Sequence, residues 1–462
     1  MRKKLTVLFS ILLLSGCSVA PKLEMPETPL PSTESNVSID TAWWERYGDP
    51  VLDGLIDEAL KNNGNLQLAA ANVAQARAAL GLAKAQRYPN LAANASAASI
   101  SASEESFGGT GAEYDNYAVS GVLSYEVDLF GRLKDAKNVA AQSLLAMEAD
   151  RETLKLSIAA SVAESYFALL TQNRNLEAAE TLLIAKKEGF ALRKKQYEKG
   201  AIPELLLRQA EADLNGVQAQ FEQFSRSRDA AANALSILCG RSPKAIVEER
   251  ISGEAALPAI ERLPAAMPSD LISRRPDILA AEARLKAANY SVGSARAAYF
   301  PTLSLTGSTG FQSQELGDLM NSGAATTQLS AGVSVPIFSF GRIGAQVESA
   351  KAGKEAALVA YINTLQRAFG EVHDALNRRA LAEERLTSVS AQLSALERVL
   401  DLTERKYEAG YSDYLAVIDA QSAYLGIQNA YYGAQLELLA SEITLIKALG
   451  GGWQKPEKRS SD

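Results

Sequence analysis

Two hundred and ten residues separate Phe130-Gly131-Arg132 from Phe340-Gly341-Arg342, and the same interval separates Tyr197-Glu198-Lys199-Gly200 from Tyr407-Glu408-Ala409-Gly410. A chain that repeats at such an interval folds as two like halves, so any architecture must account for both copies of each element. Each Tyr-Glu-x-Gly copy interrupts two long helical patterns. Glycine supplies the left-handed residue that ends a helix, so each copy reads as the tip of a helical hairpin.

The arms of these hairpins are unusually long. From Arg132 no proline occurs before Gly200, which corresponds to roughly 100 Å of helix. Val162, Leu169, Leu176, Leu183, Phe190 and Tyr197 recur every seven residues, the spacing of left-handed coiled-coil packing. After Pro203 the chain returns with Leu207, Leu214, Phe221 and Leu235 at multiples of seven, ending at Cys239-Gly240. In the second half Leu358, Leu365, Val372, Leu386, Leu393, Leu400 and Tyr407 keep the same spacing, with Arg379 as the break. The final helix carries two adjacent stripes, Val417-Tyr424-Tyr431-Leu438-Leu445 and Ile418-Leu425-Tyr432-Leu439-Ile446. A stripe that wide needs neighbours on two sides.

Between the hairpins the period changes from helical to two. Asn65 to Arg87 reads as an Ala-rich helix that stops before Tyr88-Pro89-Asn90-Leu91. Small, β-tolerant residues follow from Leu91 to Ser101, then a Gly-rich polar loop from Glu104 to Asp115. Tyr117, Val119, Gly121, Leu123, Tyr125, Val127 and Leu129 then alternate with Ser120, Ser124, Glu126 and Asp128, which predicts a strand with one apolar and one polar side. The second half repeats the plan with a helix from Leu271 to Ala298, a Phe300-Pro301-Thr302-Leu303 break and a strand from Leu303 to Phe311. After a loop around Gly317 to Gly323 come Leu329, Ala331, Val333, Val335 and Ile337 in alternation.

Arg2, Lys3 and Lys4 precede an apolar run from Leu5 to Leu14, a signal-peptide pattern too short to remain as a membrane span. Its Leu14-Ser15-Gly16-Cys17 ending resembles the bacterial lipobox, which makes Cys17 the lipidated N-terminus of the mature chain. In that resemblance Ser18, at the next position, favours the outer membrane. Loss of the leader moves the formal charge from −7 to −10, because it removes three basic and no acidic residues. An acidic protein of this kind disfavours nucleic acid as a partner. Pro21 to Asp40 reads as an extended tether, and Trp43-Trp44 as the residues that pin it to the body. Asp49-Pro50 caps and starts a short helix. Only Cys239 remains as a second cysteine, a small buried hydrophobe at a helix end and no basis for a disulfide framework.

The domain plan is therefore 1–16 signal peptide, 17–47 lipidated tether, 48–240 first repeat, 241–268 connector, 269–450 second repeat and 451–462 tail. The first repeat holds a strand pair at 90–129 and a helical hairpin at 131–239; the second holds them at 301–338 and 341–449. Four amphipathic strands cannot close a barrel in lipid, where such barrels begin at about eight and open edges are forbidden. Two copies would supply eight strands and leave no water-filled pore; three would supply twelve and enclose one. The fold class is thus mainly α with a transmembrane β-barrel, each chain adding four strands and long coiled-coil hairpins to a trimer. A different class, a periplasmic coiled-coil adaptor or scaffold lipoprotein without a pore, accounts for the helices and anchor but not for four strands with one apolar face each. No enzyme reading emerges: His373 is the only histidine, and phosphate loop, nucleophile elbow and Cys/His cluster are absent from the sequence. No cofactor is expected beyond the covalent lipid on Cys17.

In this order and twice over, the lipobox, Trp43-Trp44 before Asp49-Pro50-Val51-Leu52, Arg274-Arg275-Pro276-Asp277, the Phe-Gly-Arg pair and the hairpin tips resemble the TolC/OprM-type outer-membrane factor family. The resemblance spans the mature chain. It implies homotrimers in the outer membrane that extend into the periplasm as one β-barrel and α-barrel tunnel. It further implies docking to a periplasmic adaptor and an inner-membrane transporter, and export of drugs, toxic compounds or metals. The family's constriction lies at the second tip, and its motif matches Leu415 and Asp419, with Asp413 beside them as a further gate candidate. Residues four apart share a helical face, so threefold symmetry would stack a leucine ring on a carboxylate ring. Some members carry an arginine three residues after that aspartate; Ser422 stands there in this chain. Gln209 occupies the position equivalent to Asp419, so the two tips are not interchangeable.

Overall fold

The computed structural model describes residues 18–25, 41–101, 103, 105, 111, 113–248, 251, 257–258 and 275–451. Its elements are α1 (Pro50–Asn62), α2 (Gly64–Ala85), β1 (Asn90–Ser101), β2 (Glu113–Val127), α3 (Arg132–Glu198), α4 (Glu204–Leu238), α5 (Pro243–Glu248), α6 (Pro276–Ala297), β3 (Thr302–Ser313), β4 (Ala325–Ser334), α7 (Arg342–Glu408) and α8 (Tyr414–Ala448). The repeat is visible in the lengths of four element pairs, with the 15-residue β2 against the 10-residue β4 as the exception. The 67-residue α3 and 35-residue α4 match α7 and α8 residue for residue at an offset of 210, whereas α2 and β1 match α6 and β3 at 212.

The chain divides into two compact units, one of residues 1–28, 71–148 and 280–363, the other of residues 29–70, 149–279 and 364–462. In the first unit the strands form one antiparallel sheet in the order β1-β2-β3-β4. Its register gathers most of the large apolar side chains on one face, although Val122, Ile100 and Tyr114 fall on the other. Leu91, Ala93, Ala95 and Ala97 pair with Leu123, Gly121, Val119 and Tyr117. Those in turn stand opposite Gly307, Thr309, Phe311 and Ser313, and Leu303 and Leu305 stand opposite Val333 and Ala331. The other face carries Asn94 opposite Ser120, Thr306 opposite Ser124 and Ser330, and Ser304 opposite Gly332. Both outer strands are exposed along their whole length, so β1 and β4 each present an unpaired edge.

Sharp corners join sheet to helices. Gly131 and Gly341 adopt left-handed φ of 75° and 81°, and Phe340 shares that region at 48°. Asp128 caps α3 by accepting hydrogen bonds from the Lys134 and Leu133 amides at 2.7 and 3.2 Å. Arg132 forks onto Glu126 of β2 at 2.7 to 3.1 Å, fixing the angle at which the helix leaves the strand.

Several boundaries differ from the sequence reading. β2 begins at Glu113, inside the expected Gly-rich loop, because Glu113, Tyr114 and Asp115 pair with Ser101, Ile100 and Ser99. β4 covers Ala325–Ser334, so Val335 and Ile337 lie beyond it; Pro336, which lacks an amide donor, follows within two residues of its end. The helix expected from Leu271 is observed from Pro276, where proline suits the first helical position. Residues 21–25 were expected to be free tether, but Pro21 accepts a 2.9 Å hydrogen bond from Asn289 Nδ2 and lies against α6. Cys17 and Arg274 fall outside the described residues.

The second unit is a helical core. Trp43, Leu52, Leu55 and Ile56 pack with Ile158, Val162, Tyr166, Phe167, Leu169 and Leu170 of α3, Leu235 and Cys239 at the end of α4, and Leu439, Ile443 and Ile446 of α8. An 18-residue window of α3 is apolar enough by composition to cross a membrane, yet the apolar residues at 158–170 are spent on this core. Asp49 caps α1 through Oδ1, at 2.9 Å from the Val51 amide, and accepts the Tyr166 hydroxyl on Oδ2 at 2.7 Å. Burial, with Asp49 adding to it, pushes the Tyr166 phenol well above its ordinary range. Burial likewise moves the Cys239 thiol up to about 11, which keeps it unreactive.

Candidate functional site: the hairpin tips

Both tips close with the same backbone device. Gly200 and Gly410 take left-handed φ of 72° and 80°. The Ala201 amide donates to the Gln196 carbonyl and the Tyr411 amide to the Lys406 carbonyl, each at 2.8 Å, the six-to-one bond of a Schellman motif. The return helices start differently. Asp413 accepts the Ala416 amide at 2.9 Å and so caps α8, whereas Pro203 precedes α4 without a side-chain cap. This places Asp413 at the turn itself, with a structural task of its own.

Leu415 and Asp419 follow on α8, one turn apart on an exposed face, with Leu415 44% accessible. Ser422 and Gly426 continue that face toward the helix middle. The opposite face of α8 is packed: Val417, Ala420, Leu425 and Ile427 are buried. The two sequence-derived gate residues therefore share one open stripe. Among the described residues no basic side chain pairs with Asp419.

What holds the second tip against the first is a set of polar contacts invisible to periodicity. Arg193 of α3, almost fully buried, lies 4.3 Å from the Tyr414 ring centroid and 5.6 Å from that of Tyr407. Its Nη2 donates to the Tyr407 hydroxyl, and Nη1 to Gln196 Oε1 at 3.0 Å. Two turns away, Lys186 pairs with Asp213 of α4 at 2.7 Å and donates to Gln421 of α8 at 2.6 Å. Gln421 in turn donates to Glu404 of α7 at 3.0 Å. One lysine thus joins three helices, with its side chain only 3% exposed. Burial and the Asp213 carboxylate raise the Tyr414 pKa, while Arg193 opposes them, so Tyr414 remains a neutral ring beneath the guanidinium. The only sequence signal for this cluster was the presence of Arg193 and Lys186 on helices otherwise patterned by heptads.

At the other end of the same helices Arg275 makes a second knot. It forks onto Asp277 at 2.7 and 3.0 Å, donates to Glu371 of α7 at 2.7 Å and to the Ala448 carbonyl at the end of α8 at 2.8 Å. Burial alone would lower its pKa, but the two carboxylates raise it, so the guanidinium stays charged. His373, the lone histidine, has a largely exposed side chain and meets Asn377 at 3.3 Å. Among the described residues no group of His, Cys, Asp or Glu side chains is placed to hold a metal ion.

An amphipathic sheet with two free edges, joined to paired coiled-coil hairpins with a capped and cross-braced tip, defines the class of periplasm-spanning outer-membrane channels. The comparisons agree: the description "Outer membrane efflux protein" matches residues 55–241 and 267–451. The toluene efflux pump outer membrane protein TtgI of Pseudomonas putida is 34% identical over 98% of this chain and 99% of that protein. The probable outer membrane lipoprotein SilC of Salmonella typhimurium is 32% identical over 97% and 99%. The crystal structure of the Campylobacter jejuni CmeC outer membrane channel superposes with a TM-score of 0.91 at 29% identity, covering 96% of each chain. The chain belongs to the outer membrane efflux protein family. It is an outer-membrane channel component of an efflux pump, located in the outer membrane and extending into the periplasm.

Proposed function

We propose that three copies assemble into a continuous conduit, with a twelve-stranded barrel in the membrane, and export small toxic molecules or metal ions delivered by an adaptor and an inner-membrane transporter. The observation that carries this reading is the sheet. Its two edges, 12-residue β1 and 10-residue β4, are unpaired, and each would cost several kcal/mol per unsatisfied backbone group in lipid. Pairing β4 of one copy with β1 of the next satisfies both edges at once. Closure around a threefold axis leaves the Ser, Thr, Asn and Gln face lining water and the Leu, Val, Ala and aromatic face toward lipid.

At the periplasmic end the same symmetry brings Leu415, Asp419 and Asp413 into rings. We assign the resting constriction to Leu415, which excludes water, and Asp419, whose ring attracts cations. Arg193 with Tyr407 and Tyr414, and Lys186 with Asp213 and Gln421, brace the second tip against the first and so oppose opening. Cys17 is the proposed lipid anchor. Single-channel recording on purified protein in a planar bilayer tests the whole reading: stepwise conductance from a trimer is expected. A trimer that stays silent even with Leu415 and Asp419 replaced by alanine would point instead to a scaffold lipoprotein.

A further inference from the structure

The buried carboxylate at the start of α3 has no task in conduction or gating. Asp135 is completely buried, and both of its oxygens lie 2.8 Å from the Ser18 hydroxyl, the first described residue of the chain. The contact is not a loose crossing. The Ala20 amide donates back to Ser18 Oγ at 3.1 Å, and the buried Asn289 of α6 donates to the Pro21 carbonyl at 2.9 Å. Between them sits Gly293, where an added Cβ would come within 2.3 Å of Asp135 Oδ2 and 2.7 Å of the Ala20 Cβ. The groove therefore exists only because that helical position is glycine. Asp135, Asn289 and Gly293 come from two helices more than 150 positions apart and converge on four consecutive residues.

The depth of this groove is informative. Phe130 and Phe300, stacked with centroids 4.5 Å apart, and the exposed Tyr88, Phe338 and Phe340 cluster in sequence at the strand-to-helix junctions. Girdles of aromatic residues flank the apolar band of a membrane barrel at its interfaces with water. Asp135 lies five residues beyond Phe130, in the first turn of α3. Ser18 directly follows Cys17, and consecutive Cα atoms are about 3.8 Å apart.

We propose that Asp135, Asn289 and Gly293 form an intramolecular receptor for residues 18–21, which seats the modified cysteine beside the interfacial aromatic residues of its own protomer. The lipid then acts as a fixed peg at the foot of the barrel, not as the free end of a tether. The docking itself is independent of acylation; only its consequence for the lipid rests on the proposed modification of Cys17.

A nitroxide attached at Lys22→Cys, an exposed position just past the groove, reads the docking directly by electron paramagnetic resonance on purified trimers. An immobilised spectrum is expected in the otherwise unaltered protein and also in a non-lipidated version exported behind a conventional cleaved signal. Asp135→Asn, which still accepts from Ser18, should keep the label immobile. Asp135→Ala and Gly293→Val should each make it several-fold more mobile while the trimer persists on a non-denaturing gel. Should either of these fail to assemble, Ser18→Ala, which disturbs no core packing, must give the same mobilisation. A label that is already freely mobile, or that ignores Ser18→Ala and Asp135→Ala, overturns the receptor. An immobile label in protein whose mass shows no acyl group would retain the receptor and remove only the lipid.

Discussion

The Asn63 side-chain amide donates to the Leu238 carbonyl at 2.8 Å, and at the equivalent place in the second half Arg275 donates to the Ala448 carbonyl at the same distance. In both halves the residue that precedes the strand-bearing module grips the end of its own hairpin, and the contact recurs although its two partners are offset by 212 and 210. The halves differ in strength. Asn63 also uses Oδ1 to accept the Asn65 amide at 2.9 Å, whereas Arg275 adds two carboxylates.

That difference predicts unequal costs. Arg275→Ala leaves Asp277, Glu371 and the Ala448 carbonyl without their shared donor and should destabilise the protein by about 2 to 3 kcal/mol, the range for hydrogen bonds to charged groups, because the two carboxylates keep 30% and 46% exposure to water. Asn63→Ala loses neutral hydrogen bonds and should cost about 1 to 2 kcal/mol. Denaturant unfolding of the purified variants measures both. Equal losses would mean that the charged knot contributes no more than the neutral one.

At the tip, Leu415→Ala with Asp419→Ala should raise basal conductance in a planar bilayer and increase antibiotic leakage in cells lacking the native channel. Asp413→Ala acts differently. It removes a helix cap worth about 1 kcal/mol, so it should loosen the turn more than it widens any ring. Unchanged conductance in the Leu415 and Asp419 double variant would place the constriction elsewhere.

The brace gives an independent test. Lys186→Ala strands Asp213 in a buried site and should cost about 3 kcal/mol, while Lys186→Met with Asp213→Leu removes both charges and should recover most of that. If the brace resists opening, both variants raise conductance, although only the first loses stability. Arg193→Lys keeps the charge but not the planar fork that lies over Tyr414, and should open the tip nearly as readily as Arg193→Ala.

Much of this architecture was legible because it rests on long periodic patterns. Seven-residue spacing over 67-residue helices and strict alternation from Tyr117 to Val127 leave few alternatives. The boundaries at Glu113 and Ser334 were not legible, since strand pairing extends wherever a partner backbone continues, whatever the side chains prefer. Nor were the Arg193 and Lys186 contacts. Their partners lie 214 and 235 positions away, and which heptad faces meet is decided by hairpin packing. Composition misled most at residues 18–25. The run from Pro21 to Asp40 reads as tether from its Pro, Ser, Thr and Glu content, and nothing local reveals that Gly293 leaves room for its first residues.

Acid offers the last test. Burial raises the Asp135 pKa above its ordinary 3.8, with the Ser18 hydrogen bond only partly opposing it. The folded chain thus holds this proton more tightly than the unfolded chain does. The carboxylate costs stability at neutral pH, and the cost disappears as pH falls through the raised folded value toward 3.8. Asp135→Asn carries no charge to desolvate and still accepts from Ser18, so it should melt higher than the parent protein at pH 7. The gap should close on acidification across that window. Thermal unfolding of both proteins over the series measures it. A gap of constant size at every pH would show that the asparagine acts through packing and that the buried carboxylate carries no penalty.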